Sequence, residues 1–426
     1  MPASTPSTTG ASGRVRAAVA ETVGGLPAAF WWIFVSTLVN RLGGFVVTFL
    51  ALYLTTVRGY SPSYAGLVAA LFGLGSAVAA LGAGVLTDRI GRRPTLLAAQ
   101  LSNAVCTALL GFSSGQLTIA VVAFLCGLTN NASRPATSAI IADVVPPEHR
   151  VRAYSLNYWA INFGFGVSAA MAGLIAAHGF LALFLIDAAT TLLCALVIFA
   201  RIPETRPDAP VTATGDGAPQ IGLGAVFRDT RFMALVGLNL VLALVAQQGS
   251  TTLAVDMGRA GLTTGQFGLV ASLNGLLIVL LQLPVTRLIE HRGRTAMLVT
   301  AALLTGWGYG LTAFAGSSVA FFSFTVVVWT IGEIVYTPKV VSLVAELSPT
   351  HARGRYQGMF SLSWSLAAFA GPLVGGYLLQ HLGSAVWWAC AALGTVAAAG
   401  FVLLVRVRPA PGVSAPATAT PAEVSA

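Results

Sequence analysis

Twelve times along this chain an apolar run continues for the length of a membrane-crossing helix, and that recurrence limits the fold more than any other feature. A helix rising about 1.5 Å per residue needs about 20 residues to cross roughly 30 Å of hydrocarbon. The runs lie near 28–54, 62–87, 94–114, 117–142, 153–177, 180–201, 231–256, 265–288, 295–315, 318–343, 355–380 and 384–406. Backbone in lipid must satisfy its own hydrogen bonds, so the expected fold is an all-α integral membrane protein of twelve transmembrane helices. Composition agrees, with 56% of residues hydrophobic and 9% charged, against roughly 25% charged in an ordinary soluble domain. A soluble enzyme is excluded on that ground. The cysteines Cys106, Cys126, Cys194 and Cys390 all sit inside apolar runs without metal-ligand spacing, so neither a disulfide framework nor a metal site is expected.

The runs fall into two related halves. Asp88-Arg-Ile-Gly91-Arg92 recurs as Glu290-His-Arg-Gly293-Arg294 at an offset of 202. Pro135, Asp143, Pro146, Arg150, Arg152 and Gly173 recur as Pro338, Glu346, Pro349, Arg353, Arg355 and Gly376 at an offset of 203. Parallel repeats of six spans are a transporter architecture. The expected divisions are a disordered N-terminus over 1–27, a six-helix half over 28–201, a Pro- and Gly-rich linker over 202–230, a second half over 231–406 and a disordered tail over 407–426. The first run has full spanning length and no small-residue cleavage pattern, so it reads as an uncleaved span.

Charge sets the orientation. Of the 23 Lys and Arg, only Arg58 and Arg259 fall on one side, Arg41, Arg134 and Lys339 lie within spans, and the rest fall in the alternate loops and ends. The positive-inside rule then makes both termini and the linker cytoplasmic, in a multi-pass protein of the cytoplasmic membrane. The net charge of +9 is thereby a topology signal, and no nucleic-acid partner is expected.

Between the second and third runs stands Gly84-Val-Leu-Thr-Asp88-Arg89-Ile-Gly91-Arg92-Arg93. Its glycines suit close approach and a sharp turn, and its charges suit pairing near a helix end. The stretch resembles, position for position, the GxxxDRxGRR loop of the major facilitator superfamily, and the twelve-span layout extends the resemblance over nearly the whole chain. That likeness implies a cytoplasmic gate in which Asp88 is the latch anion with Arg92 or Arg152 as partner, and in which Glu290 and Arg355 repeat the arrangement. A bland reading leaves these arginines as topology determinants only. A narrower resemblance, carried by Thr330-Ile-Gly332-Glu333-Ile-Val-Tyr336-Thr-Pro338 and Leu156-Asn157-Tyr158-Trp159-Ala160, is to the multidrug:proton antiporter branch. It implies that Glu333 is the proton-linked carboxylate. Asn157 stands where such exporters carry an acid, Gln247 and Gln248 stand where a carboxylate would be expected, and the branch's GxxxGPxxGG has its nearest echo in Gly371-Pro372-Leu-Val-Gly375-Gly376 of span eleven.

In that superfamily spans one, four, seven and ten line a central cavity, and polar residues collect there: Asn40 and Arg41; Asn130, Asn131 and Arg134; Asn239, Gln247 and Gln248; Glu333, Tyr336 and Lys339. One ionised side chain at a helix centre costs roughly 2.5–3.5 kcal/mol on insertion scales, so these groups should face water or one another. Glu333 reads either as a coupling or substrate group or as half of a structural ion pair with Arg41 or Arg134. Arg41 is open between substrate contact and structural pairing, and Lys339 between cavity and snorkelling to the interface. Asp187 in span six is expected to bond to a neighbouring helix, with proton relay the alternative. Asp143 and Glu346 are expected to partner Arg150 and Arg353 at the gate. Tyr158, Trp159, Tyr336 and Trp364 could line an apolar binding surface or simply pack helices.

The function expected is proton-coupled export of small amphipathic compounds by a monomer, with no cofactor; its partners are the substrate, protons and the bilayer. Three cavity cations against Glu333 favour neutral, zwitterionic or anionic substrates. An uptake symporter for a small metabolite is the first alternative and a non-transporting sensor or scaffold a remote one. An ATP-driven pump is disfavoured because no GxxxxGK[ST] loop occurs.

Overall fold

In a computed structural model the described residues are 25–146, 149–176, 179–205, 223–289, 291–348 and 353–406. Among them eleven helices are long and apolar enough to cross a bilayer, and the remaining crossing is span one, built from two shorter pieces. Span one runs through Ala28–Leu42 and then Val46–Leu52, continuing as a widened turn over Tyr53–Val57. Spans two to six are Pro62–Ile90, Arg92–Phe112, Gln116–Val144, Arg150–Ala176 and Phe180–Arg201. Span seven comprises Thr230–Ala246, a tight turn at Gln247–Gly249 and Thr252–Arg259. Spans eight to twelve are Thr264–Ile289, Arg294–Gly310, Val319–Leu347, Arg353–Leu382 and Ala385–Arg406. The expected class, twelve helices in two repeats of six, is what the chain adopts.

Local chemistry sets the span ends. Ser61 accepts from the Tyr64 amide with Pro62 in the first turn of span two, Asp229 accepts from the Phe232 amide before span seven, and Ser318 accepts from Phe321 before span ten. Such caps satisfy amides that have no partner inside the helix. The linker is shorter than its polarity suggests. Residues 206–222 lie outside the described residues, as do 1–24 and 407–426, on which the expected disordered ends fall. Ile202 is buried and Glu204 accepts from the Arg92 and Arg93 amides, so 202–205 is docked on the first half, and Leu223–Arg228 forms a short helix before span seven.

Packing follows the repeat. In the first half span four lies on two and three, span six on three, and span one on five and six; in the second, span ten lies on eight and nine, span twelve on nine, and span seven on eleven and twelve. The halves meet where span two crosses eleven and span five crosses eight. Those crossings are tight from the end away from the linker, here the far end, to mid-span, where a Cβ at Gly73 would lie 2.2 Å from Ala368 O. A Cβ added at Gly66 would lie 2.4 Å from Pro372 O and 3.1 Å from Gly376 Cα, and one at Gly173 would lie 2.9 Å from Gly265 Cα. Small residues permit this backbone approach, and dispersion rewards it where lipid supplies no hydrophobic drive. Toward the opposite, linker end the described residues of these crossings stand apart. Gly358 lies on the same face of span eleven as Gly376, five turns nearer the linker, yet nothing stands within 4 Å of its Cβ position. Trp159, two turns from Gly166 along span five, is 41% exposed.

Spans one and seven also meet near the far end, where Leu52 and Thr56 abut Gly258, and Phe49 packs edge-on against Phe267 of span eight. Both of these spans are interrupted, and the interruptions fall at equivalent places in the repeat. Gly43–Phe45 breaks span one, and Gln247–Thr251 breaks span seven. Sequence periodicity through 28–54 gave no sign of the first break beyond the Gly43-Gly44 pair itself.

Candidate functional site

Between the halves, opening toward the linker end, lies a surface whose polar residues divide into two groups. The first holds helices together. Asn40 Nδ2 donates to Thr191 Oγ1 at 3.1 Å, tying span one to six, and Asn131 Nδ2 donates to Ser76 O at 2.8 Å, tying span four to two. Gln248 is 5% exposed; its Nε2 donates to Leu244 O and Gly371 O, and its Oε1 accepts from Thr252 Oγ1 at 2.6 Å. The Tyr336 hydroxyl donates to Asn239 Oδ1 at 2.8 Å, and Asn239 Nδ2 donates to Ser363 Oγ at 2.6 Å, a closed chain across spans ten, seven and eleven. Lys339 Nζ reaches Arg292 O at 3.3 Å, so its charge sits at the loop between spans eight and nine. Each of these residues thus has a structural bond beside the cavity role expected of it. A buried polar group must be hydrogen-bonded, and these residues found partners on adjacent helices.

The second group stays available. Arg41 is partly buried with its Nε enclosed and without a hydrogen-bond partner, and its Cβ abuts Gly164 of span five. Arg134 is exposed and makes no hydrogen bond or ion pair among the described residues; it lies close enough to Arg41 for their charges to repel. Asn157 Oδ1 is buried without a partner, Gln247 is half-buried, and Tyr158 is 47% exposed.

Glu333 lies midway along span ten. Its Oε2 accepts from Asn274 Nδ2 of span eight at 3.1 Å, and the same amide donates to Thr330 Oγ1 at 3.2 Å. No salt bridge to Glu333 occurs among the described residues, so the structural ion pair with Arg41 or Arg134 is not formed. Tyr158, from the other half, is within range of its charge. Asn274 was missed from sequence because span eight is not among the expected cavity spans; the signal available was an amide inside an otherwise apolar run.

At the linker end the GxxxDRxGRR stretch is organised around Glu204. Gly91 has φ +110°, a conformation that favours glycine, and a Cβ there would lie 2.6 Å from Glu204 Oε2. The Glu204 carboxylate accepts from Arg92 N at 3.0 Å and Arg93 N at 3.2 Å, and Arg93 Nη2 donates to Phe199 O. Arg92 Nε lies 3.3 Å from Asp143 Oδ2, and in the second half Arg294 Nη1 lies 2.5 Å from Glu346 Oε2. Asp143 thus goes with Arg92, where Arg150 was expected, and Glu346 with Arg294; the side chain of Arg353, the partner expected for Glu346, lies outside the described residues. Arg150 Nε instead donates to Val145 O. Arg89 is exposed, and Arg152 is half-buried beside Gly25. Gly84 and Asp88 lie in span two and Arg355 in span eleven; their side chains, and all of Glu290, lie outside the described residues.

Twelve spans in two halves, touching at one end and parted at the other over a polar surface, define a multi-pass membrane transporter. The chain belongs to the Major Facilitator Superfamily, whose description matches residues 33–258 and 238–426. It is 26% identical to the multidrug resistance protein MdtH of Aeromonas hydrophila, over 88% of this chain and 94% of that one. It is 25% identical to a Na(+), Li(+), K(+)/H(+) antiporter of Planococcus maritimus, over 77% of this chain and 84% of that one. Among solved structures, a POT family transporter in complex with 5-aminolevulinic acid superposes with a TM-score of 0.74 at 16% identity, covering 90% of this chain and 96% of that one. At that identity the likeness is one of fold.

Proposed function

We propose that this transporter exports small amphipathic compounds in exchange for protons, with Glu333 as the coupling carboxyl. The observation that carries the reading is the setting of Glu333: mid-span, held by the neutral amide of Asn274, with no cation paired to it among the described residues. A carboxyl placed in this way can gain and lose a proton as access alternates, whereas an ion-paired one would be locked in its charged form. Each proton moving across 100 mV supplies about 2.3 kcal/mol. Names borne by relatives, a multidrug resistance protein and a cation/proton antiporter, support export by antiport.

The arginine-rich segments 89–93, 150–152, 228–231 and 287–294 all lie at the linker end, which supports a cytoplasmic linker and termini. The geometry is then the inward-open one, ready to take substrate from the cell. Arg41 and Arg134, close together and without a salt bridge among the described residues, favour substrates that carry an anionic or zwitterionic group beside an apolar body. Uptake into inside-out vesicles tests this reading. Anionic and zwitterionic dyes should accumulate when the lumen is made acid, and accumulation of cationic dyes alone would overturn the substrate class. Accumulation only in right-side-out vesicles would make the protein an uptake symporter.

A further inference from the structure

A second carboxyl is buried in the spans and has no part in the function above. Asp187 of span six is 7% exposed and lies roughly 10 Å along the helix from its far end. Its Oδ2 accepts from Val46 N at 3.2 Å, where span one resumes after its break. The break itself is seated on the same turn of span six, since a Cβ at Gly43 would fall 2.0 Å from Thr190 Oγ1. Beyond it, residues 46–57 carry the far-end closure: Phe49, Leu52 and Thr56 all meet spans of the other half. The equivalent break in span seven is pinned by neutral groups, the Gln248 amide and the Tyr309 hydroxyl donating to Ala246 O at 3.2 Å. Only the first half, among the described residues, holds its break with an acid.

The surroundings of Asp187 permit a change of charge. Arg41 of span one attracts it but forms no salt bridge with it, and Arg134 of span four stands behind Arg41. Among the described residues the thiol of Cys126, beside that of Cys106, lies within range of its charge, and Tyr53 of span one packs on Phe184, one turn away. Span five meets the region through Gly164 against Arg41. Thr191, 1% exposed, is within hydrogen-bonding reach of the carboxyl.

We propose that Asp187 is a second proton-binding site, whose ionised form holds residues 46–57 in the far-end-closed position and whose protonation frees that segment to open. A carboxylate accepting an N–H makes a charge-assisted bond about twice as strong as the neutral bond left after protonation. In exchange transport, the ionised acid keeps the far end shut while substrate enters from the linker end. The inference rests on the proton-coupled reading, although its test does not depend on Glu333.

Hydrogen–deuterium exchange of the full-length protein in nanodiscs reads the closure directly, as protection of residues 46–57 after correction for intrinsic exchange. Wild type should lose about tenfold of that protection between mildly alkaline and mildly acidic pH, as expected when a charge-assisted bond becomes neutral. Asp187→Asn should be poorly protected at both, Asp187→Glu should restore the pH response, and Glu333→Gln should keep it. If Asp187→Asn does not fold, Thr191→Val decides, because the anion loses a nearby donor and the half-point of the response should move to higher pH. Wild-type protection that ignores pH, a normal response in Asp187→Asn, or an unmoved half-point in Thr191→Val overturns the proposal. A response lost in Glu333→Gln and kept in Asp187→Asn overturns it while leaving the Glu333 reading intact.

Discussion

Replacing Gly66 by Ala should shift the protein away from its far-end-closed state without unfolding either half. The added Cβ would lie 2.4 Å from Pro372 O, 3.1 Å from Gly376 Cα and 3.3 Å from Pro372 C, all backbone atoms of span eleven. Side chains can turn aside; backbone cannot, short of moving the whole helix. Overpacking of this kind costs about 1–3 kcal/mol, and every 1.4 kcal/mol is tenfold in a population. The closed fraction should therefore fall by a factor of roughly 5 to 150 relative to the open one. Distances between spin labels at Thr118 and Ser317, exposed far-end positions in opposite halves, report it. Two further variants calibrate the effect. Gly358→Ala, where a Cβ meets nothing within 4 Å, should leave the distribution unchanged. Gly127→Ala puts a Cβ 1.9 Å from Phe72 O inside one half and should lower the melting temperature in every state. An unshifted distance distribution in Gly66→Ala would refute the assignment of the far end as the closed gate.

Other consequences follow from the same geometry. Tyr336→Phe removes the bond to Asn239, so it should cost about 1 kcal/mol of stability in a thermal melt and leave substrate affinity nearly unchanged. Gly91→Ala forces a side chain into φ +110° against Glu204 and should destabilise the linker end by about 1–3 kcal/mol, visible as faster proteolysis there. Arg134→Ala should weaken binding of anionic and zwitterionic ligands by about 1.5–3 kcal/mol in calorimetry and leave neutral ligands alone. Arg92→Ala and Arg294→Ala, each breaking a partly exposed pair, should each cost no more than about 1 kcal/mol in melting experiments.

Much of this architecture was legible in the sequence because bilayer thickness acts on composition alone. The repeat was legible as well, and Arg92 with Asp143 and Arg294 with Glu346 show its two halves preserving one pairing. Which residues pair was not legible: spans three and four are packed together, and a sequence offset does not state adjacency. The same limit divided the polar residues. Asn131 and Arg134 are three positions apart on one helix, yet one side chain ties spans four and two and the other has no partner among the described residues. Only neighbouring helices determine that outcome. Asp187 was expected to bond to a neighbouring helix and does so; that its partner is a backbone amide at a break in span one was not legible.

Proton movement in proteoliposomes, measured with a pH-sensitive dye in the lumen while substrate is added outside, tests the coupling role of Glu333 most directly. Wild type should move protons opposite to substrate, and Glu333→Gln should still exchange substrate across the membrane while moving none. Substrate-dependent proton movement at the wild-type rate in Glu333→Gln would contradict the account.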